Sequence, residues 1–290
     1  MISKNIIIKV EELLNKKIID SKLLSSSFGI NCIKLTTSNK NNYIVKYYRE
    51  KNYKFNAIKS EARNLTLLND LNIKIFPKVF SFDENLLIIS FIDNNGVQPN
   101  EAKKDLLEAI TSLHKIKNNH FGFDFNTQIG GLEQINNISN NWVEFYRDLR
   151  LGYIFEKINS SNSMDNSINK KIELLLKEME NFIPKNPEKS FLHGDLWEGN
   201  ILFKNNQFVG FIDPGSFYGH NELEIAYLRW FYPNFIGKNF LEKYNDFIKI
   251  DKEYKNYEYI YQLYYSLLNV YLWDRIYVED VKRLLIKIKI

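Results

Sequence analysis

The chain has 290 residues, 44% of them hydrophobic, enough to bury one large core or two lobes, so a disordered chain is excluded. Its net charge of +4 is dispersed along the sequence and supplies no concentrated basic face, which excludes a nucleic-acid-binding module. A single cysteine excludes an internal disulfide framework, no Cys/His cluster suggests zinc, and no apolar run reaches the length of a bilayer crossing.

The first residues, MISKNIIIKVEELL, carry too much charge around Ile6–Ile8 to read as a signal peptide, so a cytoplasmic protein is expected. Residues 4–15 form a short amphipathic helix. Polar turns then separate three β-favouring runs, at 18–24, 30–37 and 42–48. The first turn, Ser25–Asn31, contains a single glycine, Gly29, and ends in Ile30-Asn31. Lys46 closes the apolar run Tyr43-Ile44-Val45. In the helix that follows, Phe55, Ile58, Ala62, Leu65, Leu68 and Leu71 recur at helical spacing, with Glu61 at the margin of that inward stripe. A carboxylate so placed needs a partner, and Lys46 is the expected one.

Pro77–Phe82 and Asn85–Ile92 read as antiparallel strands joined at Asp83-Glu84. The change from Ser90-Phe91-Ile92 to Asp93-Asn94-Asn95-Gly96 marks the expected boundary between a lobe at 1–92 and one at 93–290. Beyond it the chain is mainly helical. Ala102, Leu106, Ala109, Ile110, Leu113 and Ile116 share a face, with His114 beside it as a packing or solvated histidine. Trp142, Phe145 and Leu149 stripe a second helix, leaving Arg147 and Arg150 on other faces. Ser160–Ser167 reads as a linker, and VKRLLIKIKI as a solvated last element.

The chemistry concentrates in Ser190–His220, SFLHGDLWEGNILFKNNQFVGFIDPGSFYGH. Asp195 can accept a proton from an attacking hydroxyl, and Asn200 and Asp213 offer hard oxygen ligands suited to Mg²⁺. Taken singly, His-Gly-Asp and Asp-Pro-Gly are ordinary turns. Together, His193-Gly194-Asp195-x-x-x-x-Asn200 and Asp213-Pro214-Gly215 have the layout of a protein-kinase catalytic loop and its metal-binding turn. Asn221 can cap a helix carrying Glu222 and Glu224, read as loop anchors or as first-turn carboxylates.

HGDLWEGN followed by FIDPGSFYGHNELEIA resembles the fructosamine kinase (ketosamine 3-kinase) family, and the resemblance extends over roughly residues 25–275. It implies an α+β, two-lobed protein-kinase-like fold, with a small five-stranded antiparallel N-terminal lobe and a larger, mainly helical C-terminal lobe. It implies ATP and Mg²⁺ as cofactors and the 3-hydroxyl of a ketosamine, free or protein-bound, as acceptor. Asp195 would orient and partly deprotonate the hydroxyl, His193 would brace the loop, and Asn200 and Asp213 would hold the metal. Lys46, positioned by Glu61, would hold phosphates under the turn of Gly29 and Asn31, and the backbone of Ser90, Phe91 and Ile92 would meet adenine. Trp197, between Asp195 and Asn200, would face the sugar. Trp197 and YGHNELE argue against the same-fold alternative, a kinase of aminoglycosides, choline or amino alcohols. The intact lysine and carboxylates argue against a non-catalytic nucleotide sensor. Cys32 lies near a position where some members carry cysteine. It is expected either to pack or to link a redox homodimer of an otherwise monomeric protein.

Overall fold

In a computed structural model of the protein, residues 4–50, 53–100, 104–237 and 239–290 are described; Ala102 lies outside them. The first elements are α1 (Lys4–Leu14), β1 (Ile18–Ser27), β2 (Ile30–Thr37), β3 (Asn42–Tyr48), α2 (Ala57–Asp70), β4 (Val79–Phe82) and β5 (Leu86–Ser90). Then come α3 (Lys104–His114), β6 (Thr127–Ile129), β7 (Leu132–Gln134) and α4 (Trp142–Tyr146). A π-helical stretch, Arg147–Gly152, leads into α5 (Tyr153–Asn162) and α6 (Asn166–Lys177). The rest comprises β8 (Ser190–Leu192), β9 (Ile201–Lys204), β10 (Gln207–Phe211), β11 (Phe217–Gly219), α7 (Asn221–Phe231), α8 (Pro233–Ile236), α9 (Phe240–Asn245), α10 (Tyr254–Leu272) and α11 (Val278–Ile288).

These elements form two compact units. One comprises residues 1–98, 127–133 and 200–215; the other comprises 99–126, 134–199 and 216–290. The division therefore does not follow a single cut after Ile92, because two later segments return to the first unit.

The first unit is built on a five-stranded antiparallel sheet in the order β1-β2-β3-β5-β4. Strand alternation sends Tyr43, Val45 and Tyr47 to one face, where they pack with Val10 of α1, and sends Lys46 to the other. The uninterrupted apolar run of β5 follows from burial on both faces: Leu86 to Ile89 are all buried. Asn56 starts α2 by accepting from Lys59 N at 2.9 Å. Of the expected inward stripe on α2, Ile58, Ala62, Leu65 and Leu68 are buried, whereas Leu71 lies past the helix end and is half exposed.

The loop read at Ser25–Asn31 is much shorter than expected. Ser25, Ser26 and Ser27 pair with Cys32, Asn31 and Ile30, so only Phe28 and Gly29 turn the chain. Their φ values of 50° and 77° are those of a type I′ hairpin, whose twist matches the flanking strands. β5 likewise stops at Ser90, short of Ile92.

The second unit is a helical assembly around an aromatic core that includes Trp142, Tyr146, Tyr254, Tyr261 and Tyr265. These tyrosines are buried packing residues. Helices replace most of the expected linker at Ser160–Ser167, leaving only 163–165 between α5 and α6. The C-terminal stretch is packed rather than solvated, with Val281, Leu284, Leu285 and Ile288 of α11 buried. Asn221 is the first residue of α7, with His220 at the cap position, and its amide donates to Tyr244 Oη at 2.8 Å.

Candidate active site

In the first unit, Lys46 reaches α2. Its Nζ donates to Glu61 Oε1 at 2.7 Å and Oε2 at 2.8 Å, and to Asp213 Oδ1 at 2.6 Å. Burial alone would lower the Lys46 pKa, but Asp213 and Glu61 outweigh it and hold the ammonium above its ordinary value. Burial pushes Glu61 up while Lys46 pulls it back. Both Glu61 oxygens accept from the ammonium, which suits an ionised carboxylate better than a carboxyl with one oxygen turned donor. The expected Lys46–Glu61 pair is thus present, and Asp213 completes a three-membered cluster.

Asp213 adopts φ 56°, a left-handed conformation that Asp tolerates better than most side chains. Two contacts pin the turn that follows: Asn64 Nδ2 donates to Pro214 O at 3.1 Å, and Thr127 Oγ1 to Gly215 O at 3.2 Å. Asn64 was not anticipated from the sequence. Its signal is a polar residue on the buried face of α2, one turn beyond Glu61. Asn200, nearly fully buried, is tied to the same turn through Ile212 N donating to its carbonyl at 3.1 Å. Among the described residues no group of three His, Cys, Asp or Glu could cage a metal. One carboxylate plus one amide oxygen nevertheless fits Mg²⁺, which keeps waters and shares phosphate oxygens rather than occupying an all-protein site.

Asn31 is engaged within the β1–β2 hairpin, accepting from Ser26 Oγ at 2.7 Å and donating to Tyr47 Oη at 3.1 Å. A Cβ added at Gly29 would meet nothing within 4 Å, so its φ of 77° rather than crowding favours glycine there. The Ser90 hydroxyl accepts from Lys78 N at 2.9 Å, Lys34 lies over the Phe91 ring at 4.1 Å, and the Ile92 carbonyl accepts from Asn94 at 2.9 Å. Cys32 is half-buried on β2, and burial pushes its thiol up to about 11 against the opposing pull of Lys46. The thiolate that rapid oxidation requires is therefore disfavoured at neutral pH.

The second unit carries the His193-Gly194-Asp195 segment. Gly194 has φ 87°, a backbone conformation that explains glycine between His193 and Asp195. The carboxylate of Glu224, fully buried on α7, accepts from His193 N at 3.2 Å and Gly194 N at 2.8 Å. Burial would raise its pKa, but hydrogen bonding to His114 and to the loop amides lowers it overall. His114 links Glu224 at 3.0 Å to Tyr244 Oη at 2.7 Å. Its place beside the apolar face was legible, but its partners were not. His193 Nδ1 lies 3.3 Å from Asp195 N and so serves as an acceptor inside the loop.

Trp197 is half-buried and meets Phe231 edge-on, with ring centroids 5.8 Å apart. Its indole folds over Gly199, where an added Cβ would lie 2.3 Å from Cη2.

A family model described as fructosamine kinase matches residues 6–290. The chain is 29% identical over 231 residues to the probable ketoamine kinase of Pasteurella multocida, covering 78% of each. It is 35% identical over 193 residues to the chloroplastic protein-ribulosamine 3-kinase of Arabidopsis thaliana, covering 64% of this chain and 56% of that one. Its fold matches a protein of Thermobifida fusca classed as a fructosamine-3-kinase, with TM-score 0.83, 20% identity and 99% coverage of both. Among the described residues, no helix is long and apolar enough to cross a membrane.

Proposed function

Because this chain belongs to the fructosamine kinase family, we propose that it transfers the γ-phosphoryl group of ATP to the 3-hydroxyl of a ketosamine. The activity class, ATP-dependent phosphoryl transfer to an alcohol, comes with the family. The acceptor is the step proposed here, and the ketoamine and ribulosamine kinases among its relatives support it. The structural observation that carries the reading is Lys46 held as a cation by Glu61 and Asp213, a charged donor suited to phosphate oxygens.

Asp195 orients the sugar hydroxyl and takes its proton as the new O–P bond forms and the bond to the leaving ADP oxygen breaks. His193 braces the loop through Asp195 N rather than acting as a base. Lys46 neutralises phosphate oxygens that do not transfer. Asn200 and Asp213 would hold Mg²⁺, which when bound supplies charge neutralisation along the triphosphate. Ser90, Phe91 and Ile92 supply backbone groups to adenine, and the turn of Gly29 and Asn31 covers phosphate. Trp197 gives the sugar an aromatic face.

The phosphorylated product of this family decomposes to free the amine, so the reading extends to deglycation by a monomer acting in the cytoplasm, where ATP is available. A homodimer linked through Cys32 is its regulatory extension. Because burial disfavours the thiolate, that link would require β2 to open, and non-reducing gels of wild type and Cys32→Ser after mild peroxide test it.

The deciding experiment is ATP consumption against fructosamines, ribulosamines, plain sugars and aminoglycosides. Ketosamines should be the preferred acceptors, and Asp195→Asn should lower their turnover by at least ~10²-fold. Preference for an aminoglycoside, or near-normal turnover in Asp195→Asn, would remove the reading.

A further inference from the structure

Phe28 stands in a conformation that its side chain disfavours. It is the first residue of the two-residue turn between β1 and β2, with φ 50°. That left-handed value is usual for glycine, asparagine or aspartate and costly for a bulky aromatic residue. Strain of this kind persists only where the surroundings hold it. At 41% exposure Phe28 is no core residue, so its hold must come from a local contact.

That contact is a second turn of the same kind. Gly130 and Gly131, with φ 53° and 77°, join β6 to β7, and Gly131 N donates to the Gln128 side-chain oxygen at 3.1 Å. A Cβ added at Gly131 would lie 2.9 Å from Phe28 Cβ and 3.2 Å from its Cγ. The tip of one hairpin is thus seated on the bare backbone of the other, and a side chain at Gly131 would displace it. At the other end of β6, Thr127 Oγ1 donates to Gly215 O at 3.2 Å, two residues after the Asp213 that Lys46 holds. All these residues belong to the first unit. One short strand therefore connects the turn read as covering phosphate with the turn read as holding Mg²⁺.

We propose that β6 is a strut. Phe28, seated on Gly131, fixes the spacing between the phosphate-covering turn and the metal turn that Thr127 holds, so Phe28 and Gly131 are positioning residues for the triphosphate of ATP. This rests on the reading above that the β1–β2 turn covers phosphate. Phosphoryl transfer is catalysed largely by positioning, and turn amides serve a phosphate oxygen only where the turn itself is fixed. A Gly-Gly turn at 28 and 29 would carry less strain, but it would have no side chain to seat.

The test is thermal unfolding and titration calorimetry of wild type, Phe28→Gly, Gly131→Ala and the double variant. The ligands are ATP with Mg²⁺ and adenosine, which has no phosphate. Glycine relieves the left-handed strain, so Phe28→Gly should unfold no lower than wild type. Its Kd for ATP should nevertheless rise about tenfold, the scale of one lost hydrogen bond to a charged phosphate, while Kd for adenosine stays within about twofold. Gly131→Ala should weaken ATP to a similar extent. The double variant should go no further than the larger single change, because both substitutions remove one contact. Additive losses, equal losses for ATP and adenosine, or a wild-type Kd for ATP in Phe28→Gly would overturn the strut. If wild type binds ATP but phosphorylates no ketosamine, the acceptor reading falls and the ATP titrations still decide the strut. If wild type binds no ATP, both fall.

Discussion

His114 Nε2 lies 3.0 Å from Glu224 Oε2, and both side chains are fully buried. The contact joins α3 to α7, and Glu224 passes it on to the amides of His193 and Gly194, immediately before Asp195. The His193-Gly194 segment is therefore held by its backbone amides. Glu224→Gln should lower kcat by roughly 10–100-fold, the cost of exchanging a charged acceptor for an amide that presents a donor to a buried N–H. KM for ATP should change little. A variant that loses only thermal stability and keeps kcat would make Glu224 a packing residue.

Asn64 is to the Asp213 turn what Glu224 is to the catalytic loop. Asn64→Ala strips Pro214 O of its partner inside a buried site, a loss of about 1 kcal/mol. It should also raise KM for ATP several-fold and move the Mg²⁺ dependence in the same direction as Asp213→Ala, but less. Titration of activity with Mg²⁺ in the two variants checks this. An Mg²⁺ dependence identical to wild type in both would remove this turn from the metal assignment.

Gly199→Ala tests the orientation of Trp197 without changing the tryptophan itself. The new methyl would overlap the ring, so the side chain must leave its position. The expected result is a rise of about fivefold in KM for ketosamine, matching the loss of one aromatic contact, and a shifted tryptophan emission spectrum. Trp197→Ala should reproduce the KM change. An unaltered KM in both variants would mean that the ring packs against Phe231 and nothing more.

His220 gives the fold an acid-sensitive element. Its Nδ1 is 2.9 Å from Tyr261 Oη, and burial, reinforced by Lys117 and His114, lowers its pKa from 6.5 to about 3. Below pH 6.5 the unfolded chain binds a proton at this position that the folded chain refuses. The stabilising contribution is complete above 6.5 and drains away as pH falls towards 3, at up to about 1.4 kcal/mol per pH unit. Glu222, 3.6 Å from His220, does not rescue the charge, because burial raises its own pKa to about 7. Urea unfolding of wild type and His220→Gln at pH 7, 6 and 5 should show a shallower fall in the variant. Parallel pH dependences would place the acid sensitivity elsewhere.

Arg150 shows where periodicity misleads. A regular helix from Trp142 leaves it on a polar face, but the wider π-helical turn at Arg147–Gly152 rotates less per residue, and Arg150 is fully buried. There it donates to Ile135 O and Asn136 Oδ1, each at 2.6 Å, and faces Phe145 and Phe217. Burial lowers its pKa to about 10. A π-turn depends on what packs around it, so no local pattern announces it. The hairpin at Phe28-Gly29 was misjudged for a related reason: serines read as a loop were held in a strand by the partner residues Ile30, Asn31 and Cys32.

The sequence by itself determined the local elements with strong periodicity. These are the strands around Lys46, the helix carrying Glu61, and the spacing of Asp195, Asn200 and Asp213 that pointed to phosphoryl transfer. That information is legible because alternation, helical repeat and turn chemistry act over a few residues. Only the tertiary structure decided that Lys46 meets Asp213 as well as Glu61, that Asn64 holds Pro214 O, and that His114 and Glu224 hold the His193-Gly194 amides. Those contacts join residues far apart in the chain. A buried polar side chain shows its purpose only when folding supplies the donor or acceptor that compensates its lost water.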